Sequence, residues 1–349
     1  MLHFDTDYME GAHPEVMRRL LETNLEATPG YGSDPYSEAA RRLIRQACQA
    51  PEALVQFMTG GTQTNATVID ALLRRHEGVL AAETAHINVH ESGAIEHSGH
   101  KVLTLPSHAG KVRAEEVDRY ITDFYRDETY EHMVAPGMLY ITQPTEYGTL
   151  YTLAELEELS HLCRKHGIPL YLDGARLGYA LASPEADFTL ADLARLCDVF
   201  YIGGTKVGLL FGEAVVAARP QCLPHFLPLV KQHGALMAKG RLQGVQFATL
   251  FTDDLYTRIA CRAVALALRL RQAFEKQGFR MAIDSPTNQQ FVTLPNAVMD
   301  RLRKEATFEC WGPRGERETT VRFVTSWATR EEDVEAFVTL LQSVTHEPN

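Results

Sequence analysis

Between residues 54 and 218 the chain alternates short apolar, β-branched runs with longer segments whose apolar positions recur at helical spacing. Residues 54–59, 79–82, 102–105, 138–143, 168–173, 198–202 and 214–218 read as strands, each bounded by glycine or polar positions. Helices at 66–76, 153–166 and 189–196 lie between them. Several of the strands lack polar alternation, so they are expected to be buried on both faces. That is the pattern of a mostly parallel sheet covered by helices, an α/β fold. In such sheets ligands bind beyond the carboxyl ends of the strands.

Two helices precede this region. One is led by Pro14 and runs to about Thr23; the other, 37–48, places Ala39, Leu43, Ile44 and Ala47 on one face. The turn between them, 28–35, carries two glycines and Tyr31, and is either a connector or one wall of a site. After about residue 246 the rhythm changes. A long helix at 254–277 leads to strands at 290–294, 308–311 and 320–326 and helices near 297–304 and 331–343, which predicts a small α/β domain with antiparallel strands. The expected division is an N-terminal segment, 1–30, a large domain, 31–250, and a small C-terminal domain, 251–349.

Composition narrows the field. With 349 residues, the chain can bury one large core and one smaller one. A formal charge of −11, with no clustered basic stripe, argues against nucleic acid as a partner. No apolar run approaches membrane-spanning length. The first residues are polar and acidic rather than leader-like, and the six cysteines (48, 163, 197, 222, 261 and 310) are scattered without a CxxC pair. Reduced, mostly buried thiols in a cytoplasmic protein are expected.

The candidate chemistry gathers at strand ends. The run 198–202 breaks at Gly203-Gly204 and presents Thr205 and Lys206. A lysine delivered off a core strand is either a surface residue on a loop or an amine whose pKa falls enough to attack a carbonyl or an aldehyde cofactor. Asp173 closes the strand before it and is followed by Gly-Ala-Arg176; it reads as a helix cap or as the partner of a ligand. A carboxylate that holds a protonated pyridine nitrogen, together with a Schiff-base lysine, is what pyridoxal phosphate chemistry requires. Gly60-Gly-Thr-Gln-Thr-Asn65 joins a strand to a helix. It is either a phosphate cup built from backbone N–H groups or a plain turn with Thr62 or Thr64 as the helix cap. It has neither the Walker nor the dinucleotide-binding spacing.

His86, His90, His97 and His100 raise a rival reading, a metal-dependent hydrolase. His90-Glu91 lacks the second histidine that a zincin helix needs, so no metal ligands are assigned. One of these histidines lying flat on an aromatic cofactor accounts for the stretch better. Arg322 sits on an otherwise apolar strand, where its guanidinium wants a carboxylate, from a side chain or from an amino-acid substrate. Arg241 reads as a helix-start surface residue unless a phosphate lies nearby.

Taken together, Tyr31-Gly-Ser-Asp-Pro35, Thr59 to Asn65, Ala85-His86, Leu172-Asp-Gly-Ala-Arg176, Thr205-Lys206 and Arg322-Phe-Val-Thr resemble the threonine aldolase / β-eliminating lyase family. That family belongs to the fold type I pyridoxal-phosphate enzymes. The likeness runs from about Phe4 to Arg322 with the motifs in the same order. It implies pyridoxal 5'-phosphate as cofactor, with Lys206 as the Schiff-base residue, Asp173 on the pyridine nitrogen and His86 stacked on the ring. The backbone at Gly61 and Thr62 would hold the phosphate, Gly60, Thr205 and Arg241 would also bind the cofactor, and Arg176 would approach the phenolic oxygen and the substrate carboxylate. Arg322 would bind that carboxylate too. Thr6 falls near a small hydroxyl residue that touches substrate. Tyr31 and Arg241 match positions that reach a site across a subunit interface, which implies a dimer with shared sites; the family is commonly a tetramer.

One departure stands out. Where aldolases of this family often carry a second histidine, this chain reads Gln143-Pro-Thr-Glu146. Glu146 and His86 are thus the candidate bases for the β-hydroxyl proton. The resemblance implies cleavage of L-threonine or L-allo-threonine to glycine and acetaldehyde. A β-elimination on another amino acid is the alternative within the same chemistry.

Overall fold

The structure, a computed structural model, describes residues 1–346; positions 347–349 of the expected small domain lie outside the described residues. Seven strands form the central sheet. In spatial order they are Leu54–Met58, Glu213–Ala217, Val199–Gly203, Leu170–Asp173, Ala135–Thr142, Glu77–Ala82 and Val102–Leu105. The last five are mutually parallel, whereas Glu213–Ala217 runs antiparallel to both of its neighbours. The predicted, mostly parallel sheet is therefore present, with one reversed strand. That strand turns residues 204–212 into a hairpin rather than a crossover. Both Gly204 N and Thr205 N donate to the Gly212 carbonyl, at 3.0 Å and 3.1 Å.

Helices cover the sheet. Leu153–His166 starts with a reciprocal Thr152–Glu155 capping box and ends on Gly167, whose φ of 68° lies in the left-handed region that favours glycine. Ala114–Arg126 is a helix that the sequence does not announce, whereas Arg241–Leu250 begins at the residue that reads as a helix start. The helix after the glycine loop begins at Gly61, not at residue 66. Neither Thr62 nor Thr64 caps it. Gly60 occupies the cap position, and the Thr64 hydroxyl instead donates back to the Gly60 carbonyl at 2.8 Å. The polar composition of 60–65 mimicked a loop because this turn of helix faces a cavity.

A second sheet of four antiparallel strands orders Glu309–Cys310, Glu318–Val324, Gln289–Pro295 and Arg280–Ile283. The helices Leu255–Lys276, Asn296–Leu302 and Glu331–His346 accompany it. Two apolar cores result. One lies around the seven-stranded sheet, and the other joins Leu270, Phe274, Phe323 and Phe337. Phe4 is fully buried in the second, because Leu2–His3 pairs in parallel with Ala306–Thr307. The six cysteines are free, but only Cys48, Cys163 and Cys197 are buried; Cys261 is exposed. Among the described residues no helix is long and apolar enough to cross a membrane.

Candidate active site

The strands Leu170–Asp173 and Val199–Gly203 pair in parallel, so their carboxyl ends open on the same side of the sheet. There lies a cavity of about 290 Å³ that gathers Gly60, Gly61, Thr62, His86, Glu146, Asp173, Thr205 and Lys206. Tyr8, Asn65, Glu91, Tyr201 and Glu213 complete most of its wall. Larger grooves exist at the edge strand Val102–Leu105 and beside His13 and Trp327. Neither combines a half-buried lysine with a buried carboxylate, which is what marks the smaller cavity as the chemical one.

Lys206 is half-buried, with its Nζ 6.0 Å from the centre of the Tyr8 ring. Burial holds its ammonium below the usual lysine range, as does the Arg176 guanidinium; together they outweigh the opposite pull of Asp7, Glu146 and Asp173. Glu213 stands at the base of the hairpin and accepts from Gly204 N at 3.1 Å. Burial pushes its carboxyl up, against the hydrogen bonds from Thr205 and Gly204 and the charge of Lys206.

Asp173 is fixed from three directions. Its Oδ1 accepts from Ala175 N at 2.9 Å, and its Oδ2 accepts from Tyr140 at 2.6 Å and from Asn65 at 2.9 Å. His86 Nδ1 lies 2.8 Å from Glu91. Burial acts to lower the His86 pKa, but the hydrogen bond to Glu91 and the charges of Glu146 and Asp173 leave it raised. Of the other histidines of the stretch, only His90 comes near it, with ring centroids 5.7 Å apart. His100 lies against Asp70 and the Glu77 carbonyl, and His97 lines a separate groove. Among the described residues no three His, Cys, Asp or Glu side chains are placed to hold a metal ion.

Glu146 is presented by a tied loop. Gln143, whose bond to Pro144 is cis, exchanges two side-chain hydrogen bonds with the Tyr151 backbone, at 2.9 Å and 3.0 Å. Gly148 has φ 70° and no room for a Cβ, since one built there would come 2.2 Å from the Ser285 hydroxyl. Tyr147 meets Trp311 edge-on at 5.8 Å.

The remaining predicted residues stand outside the cavity lining. Arg176 is buried and paired with Asp7 through Nε and Nη2, at 2.7 Å and 3.0 Å. Thr6 is half-buried next to Asp7. Arg322 donates to Gln289 at 2.9 Å and pairs with Glu309, its guanidinium lying over Trp311, while its Nε is buried without a partner. Tyr31 is exposed, with Lys231 over its ring, and Arg241 donates to the carbonyls of Thr23 and Glu26.

The sequence reading did not single out Asp7, Tyr8, Asn65, Glu91, Tyr140, Tyr201 or Glu213. Asn65 ends the Gly60-Gly-Thr-Gln-Thr-Asn65 run, and Glu91 is an acid among histidines, which is a usable signal for it. Nothing in a core strand marks Tyr201, whose buried hydroxyl has no partner and lies 3.2 Å from where a Cβ on Gly61 would be.

Known proteins resemble this chain over most of its length. Residues 3–297 match the family described as beta-eliminating lyase. The low specificity L-threonine aldolase of Pseudomonas aeruginosa is 29% identical over 331 residues, covering 93% of each chain. That of Pseudomonas sp. is 28% identical, covering 98% of this chain and 97% of the relative. A solved structure of Leishmania major threonine aldolase superposes with a TM-score of 0.96 at 41% identity, covering 99% of this chain and all of the other. Aspartate aminotransferase from Thermus thermophilus, at 16% identity and a TM-score of 0.71, shares the fold.

Proposed function

Because the chain belongs to the beta-eliminating lyase family, we propose that it cleaves a β-hydroxy-α-amino acid, with L-threonine or L-allo-threonine giving glycine and acetaldehyde. The observation that carries this is the pair Lys206 and Asp173, set at neighbouring strand ends and facing one cavity with His86 and Glu146.

Enzymes of this family work with pyridoxal 5'-phosphate, and the residues present fit it. At one end of the cavity the helix Gly61–Leu72 begins without a side-chain cap, and the orphaned Tyr201 hydroxyl is buried close by; both suit a phosphate. Gly60, Gly61, Thr62 and Thr205 line the same wall. Asp173, held by three donors, suits a protonated ring nitrogen. Lys206, whose ammonium is lowered, suits the carbonyl carbon. When bound, the group supplies a conjugated ring that accepts the electron pair of a bond broken at the amino acid's Cα.

The chain's own residues then bind and move protons. Arg322 takes the substrate carboxylate through its free Nε, and Arg176 supports the same end. Fixing that carboxylate orients the Cα–Cβ bond. Glu146, with His86 beside it, takes the β-hydroxyl proton, directly or through one water. Lys206 and His86, both lining the cavity, would return a proton at Cα. Tyr31 and Arg241 lie away from this chain's own cavity, which supports their service to the site of a second copy. A cytoplasmic homotetramer follows from the same reading, along with the chain's division at about residues 30 and 250.

Product analysis tests the proposal. Purified protein with added cofactor and L-threonine should release glycine and acetaldehyde in equal amounts. Ammonia and a keto acid in their place would refute aldol cleavage and establish elimination.

A further inference from the structure

At the wall of the cavity, side chains from several elements form one buried hydrogen-bonded chain that the roles above leave unused. Asn65 Nδ2 lies 2.8 Å from Glu91 Oε1 and 2.9 Å from Asp173 Oδ2. Its Oδ1 is 2.9 Å from the Tyr171 hydroxyl. Glu91 Oε1 also lies 2.8 Å from His86 Nδ1. The Glu91 side chain is fully buried, and Asn65 is 1% exposed.

The donor inventory fixes the directions. The Asn65 NH2 donates to both carboxyl groups, which leaves its carbonyl to accept from Tyr171. By the same rule the proton of His86 resides on Nδ1, and Nε2 is the nitrogen free to exchange one. A single amide thus separates two buried carboxylates, and one of them governs the histidine. Glu91 Oε2 has no partner. A carboxylate buried at that cost, bonded only to an active-site histidine and to the amide touching Asp173, has little reason to be there for stability.

We propose that Glu91 and Asn65 are positioning residues: the Asn65 amide spaces Glu91 from Asp173, and Glu91 holds the Nδ1 proton of His86, so that ring and carboxylate keep one fixed relation across the cavity. The proposal rests on reading this cavity as the cofactor's site. The groups that face His86 are Glu91, Glu146, Asp173 and Lys206, with the His90 ring 5.7 Å away. Of these, Glu91 is the one in direct hydrogen-bond contact.

The test uses the holoenzyme without substrate as well as turnover. The His86 ring signals, assigned by their loss in His86→Phe, are titrated by NMR in the wild type and in Glu91→Gln. The charge is removed while size is kept, so the midpoint should fall. The kcat should drop on the order of 10-fold or more, with KM and the melting temperature near wild type. In the His86→Phe background, adding Glu91→Gln should change kcat little. Unchanged titration, or an undiminished kcat loss in that background, would overturn the proposal. Should Glu91→Gln fail to fold, the wild type still decides: a slowly exchanging downfield Nδ1 proton of His86 is expected, and its absence refutes the idea. Because the NMR arm involves no substrate, it stands or falls separately from threonine cleavage.

Discussion

Asp7 and Arg176, 169 residues apart, meet through two hydrogen bonds in a fully buried pocket, and Asn288 adds a third to the same carboxylate at 3.0 Å. Burial alone would raise the Asp7 carboxyl, but the Arg176 and Lys206 charges and the hydrogen bonds from Arg176 and Asn288 hold it below the ordinary carboxylate value. The folded state therefore binds this proton less readily than the unfolded chain. The stabilisation is fully present above the unfolded value and fades as pH falls through the lower folded one. Asp7→Asn is expected to cost about 3 kcal/mol at neutral pH and to flatten the acid limb of the stability curve. Urea unfolding across pH checks both; coincident curves for variant and wild type would contradict the pairing.

Replacing Lys206 with alanine tests the cofactor anchor. The fold should persist, since the side chain ends in a cavity. The violet-edge absorbance of the lysine-bound cofactor, and its fixation by borohydride, should vanish. An unaltered spectrum would remove Lys206 from that role.

Glu146→Gln addresses the base. The amide keeps the loop's shape but cannot take a proton, so kcat should fall by about 10²-fold or more while KM for threonine stays close to wild type. Undiminished turnover would leave His86 as the remaining candidate.

Tyr201→Phe removes one buried hydroxyl and nothing else. If that hydroxyl serves the cofactor's phosphate, affinity should weaken by about 10-fold, the size of one hydrogen bond to a charged group. Fluorescence titration of the apoprotein measures it. Equal affinity would mean that the hydroxyl plays no part there.

Much of this site was legible because strand ends and glycines punctuate a sequence strongly. Lys206, Asp173 and Gly60 to Thr62 each sit where an apolar run stops. What stayed hidden depends on separation or register. The pairing of Asp7 with Arg176 closes over too many residues for any local pattern. Glu309 faces Arg322 only through antiparallel register, and the strand Arg280–Ile283 is half-exposed and only four residues long. Tyr201 looks like any core aromatic until its hydroxyl is found unpartnered. Asn65 reads as loop in the sequence because the polar run 60–65 conceals a helix that already starts at Gly61.

The reversed strand Glu213–Ala217 has a kinetic meaning. Most neighbouring strands of the sheet are joined through long crossovers, whose closure entropy must be met before pairing rewards it. The stretch bearing Lys206 closes instead over the short span from Gly203 to Glu213, which pair directly. The lysine's turn thus belongs to the most local contacts of the sheet and can assemble early in folding. Asp173, Glu146 and His86 come to it instead from elements and loops much farther away along the chain.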